Sequence, residues 1–166
     1  VTIPNSVTEI DDYAFDYCIS LTSVTIPDSV TIIGDFAFWE CTSLKNITIP
    51  NHVTFIGSGA FYNCNSLTNI TIPDSVTHIS NGAFHGCISL KSVTIPNSVT
   101  TIGNSTFRGC TSLTVTTNNP YVIEYCKDKN IPVKTLKESL FNSKNNLILE
   151  GTRYDKQASK ILSDSG

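Results

Sequence analysis

Large apolar residues return along this chain at a fixed interval of 23 residues. Phe15, Phe38, Phe61, Phe84 and Phe107 make one rank; Leu21, Leu44, Leu67, Leu90 and Leu113 make another. Val7, Val30, Val53, Val76 and Val99, then Ile10, Ile33, Ile56, Ile79 and Ile102, keep the same step, as do Cys18, Cys41, Cys64, Cys87 and Cys110. Val-Thr-Ile-Pro or Ile-Thr-Ile-Pro opens each copy, at Val1, Val24, Ile47, Ile70 and Val93. Five copies fill residues 1–115. A unit this short cannot close its own core, so its apolar face is hidden only by stacking on the next copy, which predicts a solenoid.

Within one unit, Leu21–Pro27 reads as a short strand with Leu21, Val24 and Ile26 inward and Thr25 outward. Equivalent strands pair in parallel, about 4.8 Å apart. Pro27 has no N–H to donate and ends the strand. Val30 and Ile33 turn inward again as a second, weaker strand. Gly34–Phe38 then bends back through a helical turn, with Phe38 filling the middle. The fold class is an α/β repeat solenoid of the leucine-rich-repeat type, with short parallel strands on one face and turns, 3-10 turns or short helical turns on the other.

The unit resembles the BspA-like leucine-rich repeat, roughly L-x-x-V-x-I-P-x-x-V-x-x-I-G-x-x-A-F-x-x-C, which Leu21–Cys41 follow nearly residue for residue. Departures are confined to single turns: Asp11 and Ser80 stand at the Gly position, and Thr106 at the Ala position. The resemblance implies a surface adhesion or interaction protein of bacteria or some protists, at the cell surface or outside the cell.

After Leu113 the pattern fails, and Val115–Thr117 is shifted by one residue. Asn119-Pro120 is a helix start, with Asn as N-cap and Pro at the first turn. Val122, Ile123 and Cys126 share one face of that helix, and Ile131-Pro132-Val133 reads as a last strand. Residues 116–134 are thus a terminal cap. Residues 135–166 form a tail or docking segment, with an apolar run at Leu147–Leu149 and helical patches at Leu136–Phe141 and Ala158–Leu162.

Charge changes the picture only at the margins. Charged residues make up 15% of the chain and its net charge is −3, which argues against a dedicated nucleic-acid binder. Residues 1–115 hold three basic and eight acidic residues; residues 116–166 hold eight and six. No run approaches the length of a membrane span. There is no Met and no basic-then-apolar start, so no signal peptide is visible. The chain opens inside its own pattern, and Val1, Ile3, Val7 and Ile10 would leave an open apolar edge. Further repeats or another chain packed on that edge at Val1 are therefore expected.

Candidate chemistry is thin. The recurring Cys read as buried small hydrophobes, because in-register side chains point the same way rather than at each other. No Cys or His has zinc-ligand spacing. His52, His78 and His85 lack motif partners, and Asp11, Asp12 and Asp16 share a turn that other copies do not repeat. No phosphate loop, dinucleotide fingerprint or nucleophile elbow occurs, so no catalytic residue, cofactor or metal is assigned. Asn46, Asn69 and Asn104 stand in glycosylation sequons, and Asn46 and Asn69 read as strand-face polar residues. Thr25, Thr48, Thr71 and Thr94 line a flat polar strand face, which strand preference explains.

Function is expected where copies differ, because the constant ranks are committed to packing. One variable rank runs Asp16, Trp39, Tyr62, His85, Arg108; a second runs Glu9, Ile32, Phe55, His78, Thr101; a third runs Tyr13, Phe36, Gly59, Gly82, Ser105. Trp39, Tyr62 and His85 would stack as an aromatic ladder. With Ile32, Phe55 and His78 they are the candidate set for a protein or glycan partner. The plainer alternative is that they cover the turns of neighbouring copies. A structural spacer, or a subunit of a larger assembly such as a surface filament or virion, is the rival role.

Overall fold

The computed structural model describes residues 1–136 and the short strands at 148–149 and 152–153. Contacts divide the chain into two units, Val1–Val133 and Lys134–Gly166. The first is a solenoid of about five coils built from two rows of short parallel strands. One sheet carries β1 (Glu9–Ile10), β3 (Ile32–Ile33), β5 (Phe55–Ile56), β7 (His78–Ile79) and β9 (Thr101–Ile102), in that order and all parallel. The other side carries β2 (Ser23–Val24) paired with β4 (Asn46–Ile47). Beyond a gap, β6 (Asn69–Thr71), β8 (Ser92–Thr94), β10 (Thr114–Thr116) and β11 (Val133–Lys134) follow.

The strand expected to be the weaker of the two therefore forms the unbroken sheet. The expected main ladder is split between β4 and β6. Register follows the repeat: Ile10, Ile33, Ile56, Ile79 and Ile102 stand directly opposite one another. The shift after Leu113 appears as a register of Val115 on Val93, one residue short of the repeat.

Between the sheets runs a column of phenylalanines. Phe15, Phe38, Phe61, Phe84 and Phe107 lie ring on ring, with centroids 5.1 to 5.7 Å apart and planes within 6°. Phe38, Phe61 and Phe84 are fully buried. Each such burial contributes about 1.5–3 kcal/mol. Leu44, Leu67 and Leu90, the four Val and Ile ranks that follow each Leu, and Ala37, Ala60 and Ala83 complete the core.

The segment after each second strand is a run of turns, the plainest of the forms expected there, and not a continuous helix. In coil 1, Ala14, Asp16 and Cys18 donate three residues back, to Asp11, Tyr13 and Phe15, whereas Tyr13, Phe15 and Tyr17 donate to Asp35, Ala37 and Trp39 of the next coil. Half of the N–H groups a helix would use internally are spent between coils. Two residues in each of the first four turn segments, and one in the fifth, then adopt positive φ: Tyr13, Phe36, Gly59 and Gly82 at one rank, and Tyr17, Glu40, Asn63, Gly86 and Gly109 at the other. Among the described residues the repeats contain no helix.

The single α-helix among them, α1 (Pro120–Asp128), closes the stack. Asn119 accepts from the N–H groups of Tyr121 and Val122, and its amide donates to the carbonyls of Pro96, Asn97 and Val99. The Tyr121 hydroxyl takes the exposed N–H of Ile102 at 2.9 Å, and the Tyr125 hydroxyl donates to Gly103. The edge of β9 is thereby satisfied by side chains instead of by another strand. Val122 and Cys126 are buried, as the helical face predicts, and Ile123 is half-buried. The Pro132 carbonyl accepts from Val115, and β11, which begins at the next residue, is the edge strand of its sheet.

In the second unit, β12 (Ile148–Leu149) pairs antiparallel with β13 (Thr152–Arg153). The helical patches expected at Leu136–Phe141 and Ala158–Leu162, and the docking role of the tail, lie outside the described residues.

Candidate functional site

The turn segments hold two kinds of side chain at successive positions. Phe38 and its equivalents point inward, and the residue that follows each points outward. Trp39, Tyr62 and His85 are these followers, each half-buried. Trp39 meets Tyr62 edge to face at 6.5 Å, and Tyr62 stacks on His85 at 4.6 Å with planes 21° apart. The expected ladder is present and is larger than sequence reasoning assigned. Tyr17 meets Trp39 at 5.0 Å and Phe36 meets it at 5.8 Å, while Tyr13 stacks on Phe36 at 5.1 Å. Six rings thus form one continuous outer row over four coils. Tyr13 and Tyr17 are its most exposed members, at 49% and 58%.

The three rings missed as site residues sit at the two positive-φ ranks. The glycines at Gly59, Gly82, Gly86 and Gly109 in those same ranks were the available signal, since glycine tolerates that conformation most readily. Gly59 also shows where the row makes room: a Cβ there would come within 2.5 Å of the Phe36 ring.

Ile32, Phe55 and His78 form a separate row on the unbroken sheet, in register through β3, β5 and β7. Ile32 and Phe55 are half-buried and His78 is exposed, its Nδ1 2.7 Å from the Thr77 hydroxyl. The strands carry this row and the turns carry the other.

The cysteines are spent on the fold. Cys41, Cys64, Cys87 and Cys110 each donate to the carbonyl of the phenylalanine 26 residues earlier, at 3.1 to 3.2 Å. All six are free thiols. Burial pushes the Cys41 thiol up to about 12 and Cys110 and Cys126 up to about 11. Burial, reinforced by neighbouring thiols, pushes Cys64 and Cys87 higher still. At neutral pH they are protonated donors, where a nucleophile or metal ligand would need a thiolate. Thr106, at the Ala position, is fully buried with its hydroxyl bonded to Gly103 and Ser80, so the departure carries its own partners.

Among the described residues no group of three or more His, Cys, Asp or Glu could hold a metal ion. No helix among them is long and apolar enough to cross a membrane. A groove of about 560 Å³ opens between the last coil and the cap, lined by Phe107, Arg108, Cys110, Leu113, Tyr125 and Lys129 among others.

A family model described as a BspA type leucine rich repeat region of six copies matches residues 1–114. The chain belongs to that family. A leucine-rich repeat protein of T. pallidum superposes with a TM-score of 0.68 at 38% identity over 70% of this chain and 57% of its own. A leucine rich cell surface protein of Faecalibacterium prausnitzii gives 0.68 at 41% identity, over 72% of this chain and 31% of that one. A leucine-rich repeat protein of Bacteroides ovatus gives 0.66 at 26%, over 82% and 42%. The chain therefore spans between about a third and three fifths of these structures' own lengths. No curated protein matches it significantly.

Proposed function

We propose that this solenoid is a non-enzymatic interaction module that binds a protein or glycan through the outer aromatic row, as part of a larger protein at the cell surface. The observation that carries this reading is the row itself. Tyr13, Tyr17, Phe36, Trp39, Tyr62 and His85 make one continuous surface on positions the repeat leaves free. Contiguous rings at least partly open to solvent suit recognition, since they bring large contact area at low entropy cost. The cell-surface relative of F. prausnitzii supports the location. The Ile32, Phe55 and His78 row is a secondary contact surface in this reading.

The test is binding to arrayed host-surface proteins and glycans. Trp39→Ala combined with Tyr62→Ala should abolish the strongest signals while far-UV circular dichroism stays unchanged. Retained binding by the double variant would remove the row from the site.

A further inference from the structure

We infer that the outer aromatic row takes a basic segment of another protein, with arginine or lysine side chains laid across the ring edges and paired with the carboxylates that rim it. This rests on the proposed role of the row and selects between the two partner classes left open there.

Ring geometry gives the first argument. Phe36 is enclosed between Tyr13 and the Gly59 backbone, and Tyr62 between Trp39 and His85; Trp39 touches Tyr17, Phe36 and Tyr62 edge to face. A sugar ring stacks its C–H groups on a free aromatic face; Phe36 and Tyr62 each give one face to a stacked neighbour, Trp39 is ringed by three edge-to-face contacts, and all three are only half-exposed. The aliphatic stem of a long cationic side chain packs against such a surface while its head stays in water.

Charge gives the second. The first 40 residues contain seven carboxylates and no Lys, Arg or His. Five of these, Asp11, Asp12, Asp16, Asp35 and Glu40, belong to the turn segments that carry Tyr13, Tyr17, Phe36 and Trp39. Among the described residues the single ion pair is Lys127 with Glu124, and none of the five is paired with a described cation. Asp12, Asp35 and Glu40 each accept through one oxygen, from Asp35 N, Ser58 N and Asn63 Nδ2, which holds the carboxylate in place and leaves its second oxygen uncommitted by these bonds. A fixed carboxylate with a free oxygen suits a guanidinium, and the uncompensated field steers cations toward it.

The full chain has one tryptophan, Trp39, at the centre of the row, so its fluorescence reports occupancy directly. Three probes are titrated at low ionic strength: a peptide alternating arginine and leucine, one alternating glutamate and leucine, and maltohexaose. The arginine peptide should shift Trp39 emission saturably, and the other two should not. Asp12→Asn, Asp35→Asn and Glu40→Gln together should weaken it about tenfold and flatten its salt dependence. Asn81 already accepts the equivalent backbone bond in its coil, so Asn at positions 12 and 35 keeps those turns folded, and the Gln amide oxygen at 40 can still accept from Asn63. Asp16→Asn alone should weaken binding by a smaller factor, and Asp74→Asn, outside the turn segments, should leave it unchanged. Maltohexaose binding as tightly as the peptide, an unaffected triple variant, equal loss with Asp74→Asn, or silence with the arginine peptide would each overturn the inference. If Tyr62→Ala impairs capture on the protein and glycan array while the triple variant does not, the row stands as a site and only its basic partner is lost.

Discussion

Two columns of rings climb the same solenoid at nearly the same spacing. The inner one is all phenylalanine, with planes parallel within 6°. The outer one mixes Tyr, Phe, Trp and His, and its angles run from 17° to 83°. The coil-to-coil step is common to both, so the step does not impose parallel stacking by itself. Enclosure does. Inside, each ring is held by Val, Ile, Leu and Ala from both sheets, and any other size or tilt leaves a void or a clash. Outside, one flank is solvent, and residue type and tilt vary without disturbing the register beneath. Constancy along the chain marks packing, and variation marks the surface free to acquire a partner.

The comparison breaks most readily at the inner column. Phe61→Ala should cost about 3–5 kcal/mol in chemical denaturation, because it opens a cavity between Phe38 and Phe84. Tyr62→Ala, the next residue, should cost under about 1 kcal/mol, since its site collapses into water. Equal losses at the two positions would mean that the outer row is part of the core.

The cap should come next. Asn119 serves as N-cap for α1 and also ties it to three carbonyls of the last coil. Asn119→Ala should cost about 2 kcal/mol, at the upper end for a helix cap, because buried carbonyls lose their donor as well. Hydrogen exchange should show the loss first at Ile102, whose N–H depends on Tyr121.

Gly59→Ala probes the seam between the columns. It places a methyl at φ +58 against the Phe36 ring. About 1–2 kcal/mol should be lost. The sharper readout is Trp39 fluorescence, since Phe36 must tilt and Trp39 touches it. An unmoved spectrum would show that the outer rings adjust independently.

Much of this architecture is legible in the residues. The Phe, Val, Ile and Leu ranks give coil length, register and core, because burial between coils admits few other side chains. Asn119-Pro120 gives the cap helix for the same local reason. The turns are harder to read. Tyr13, Tyr17, Phe36 and Glu40 carry positive φ that their side chains do not advertise; only the glycines further along each rank do. The choice between helical turn and coil-to-coil ladder is made by tertiary hydrogen bonds such as Phe15 N to Ala37 O, which no local propensity encodes. Trp39, Tyr62 and His85 were readable as a row. Their joining with Tyr13, Tyr17 and Phe36 depends on that same turn geometry. The break between β4 and β6 has no counterpart in the sequence, where both copies carry Ile-Thr-Ile-Pro.

The smallest effect lies at the far end of the outer row. Half-burial, with the Arg108 guanidinium of the next coil adding to it, holds the His85 imidazole below its ordinary value of 6.5. As pH falls through that value, the unfolded chain binds a proton before the folded one does. His85 therefore contributes stability above the ordinary value, and that contribution is lost as pH falls toward the folded value. Arg108→Gln should raise the His85 midpoint in an NMR titration without restoring it fully, because burial against Tyr62 remains. The inner column predicts no such response: its Phe84 and Phe107 resonances should stay fixed over the same range. If they moved with His85, the two columns would be one coupled unit, and the freedom of the outer one to vary would need another explanation.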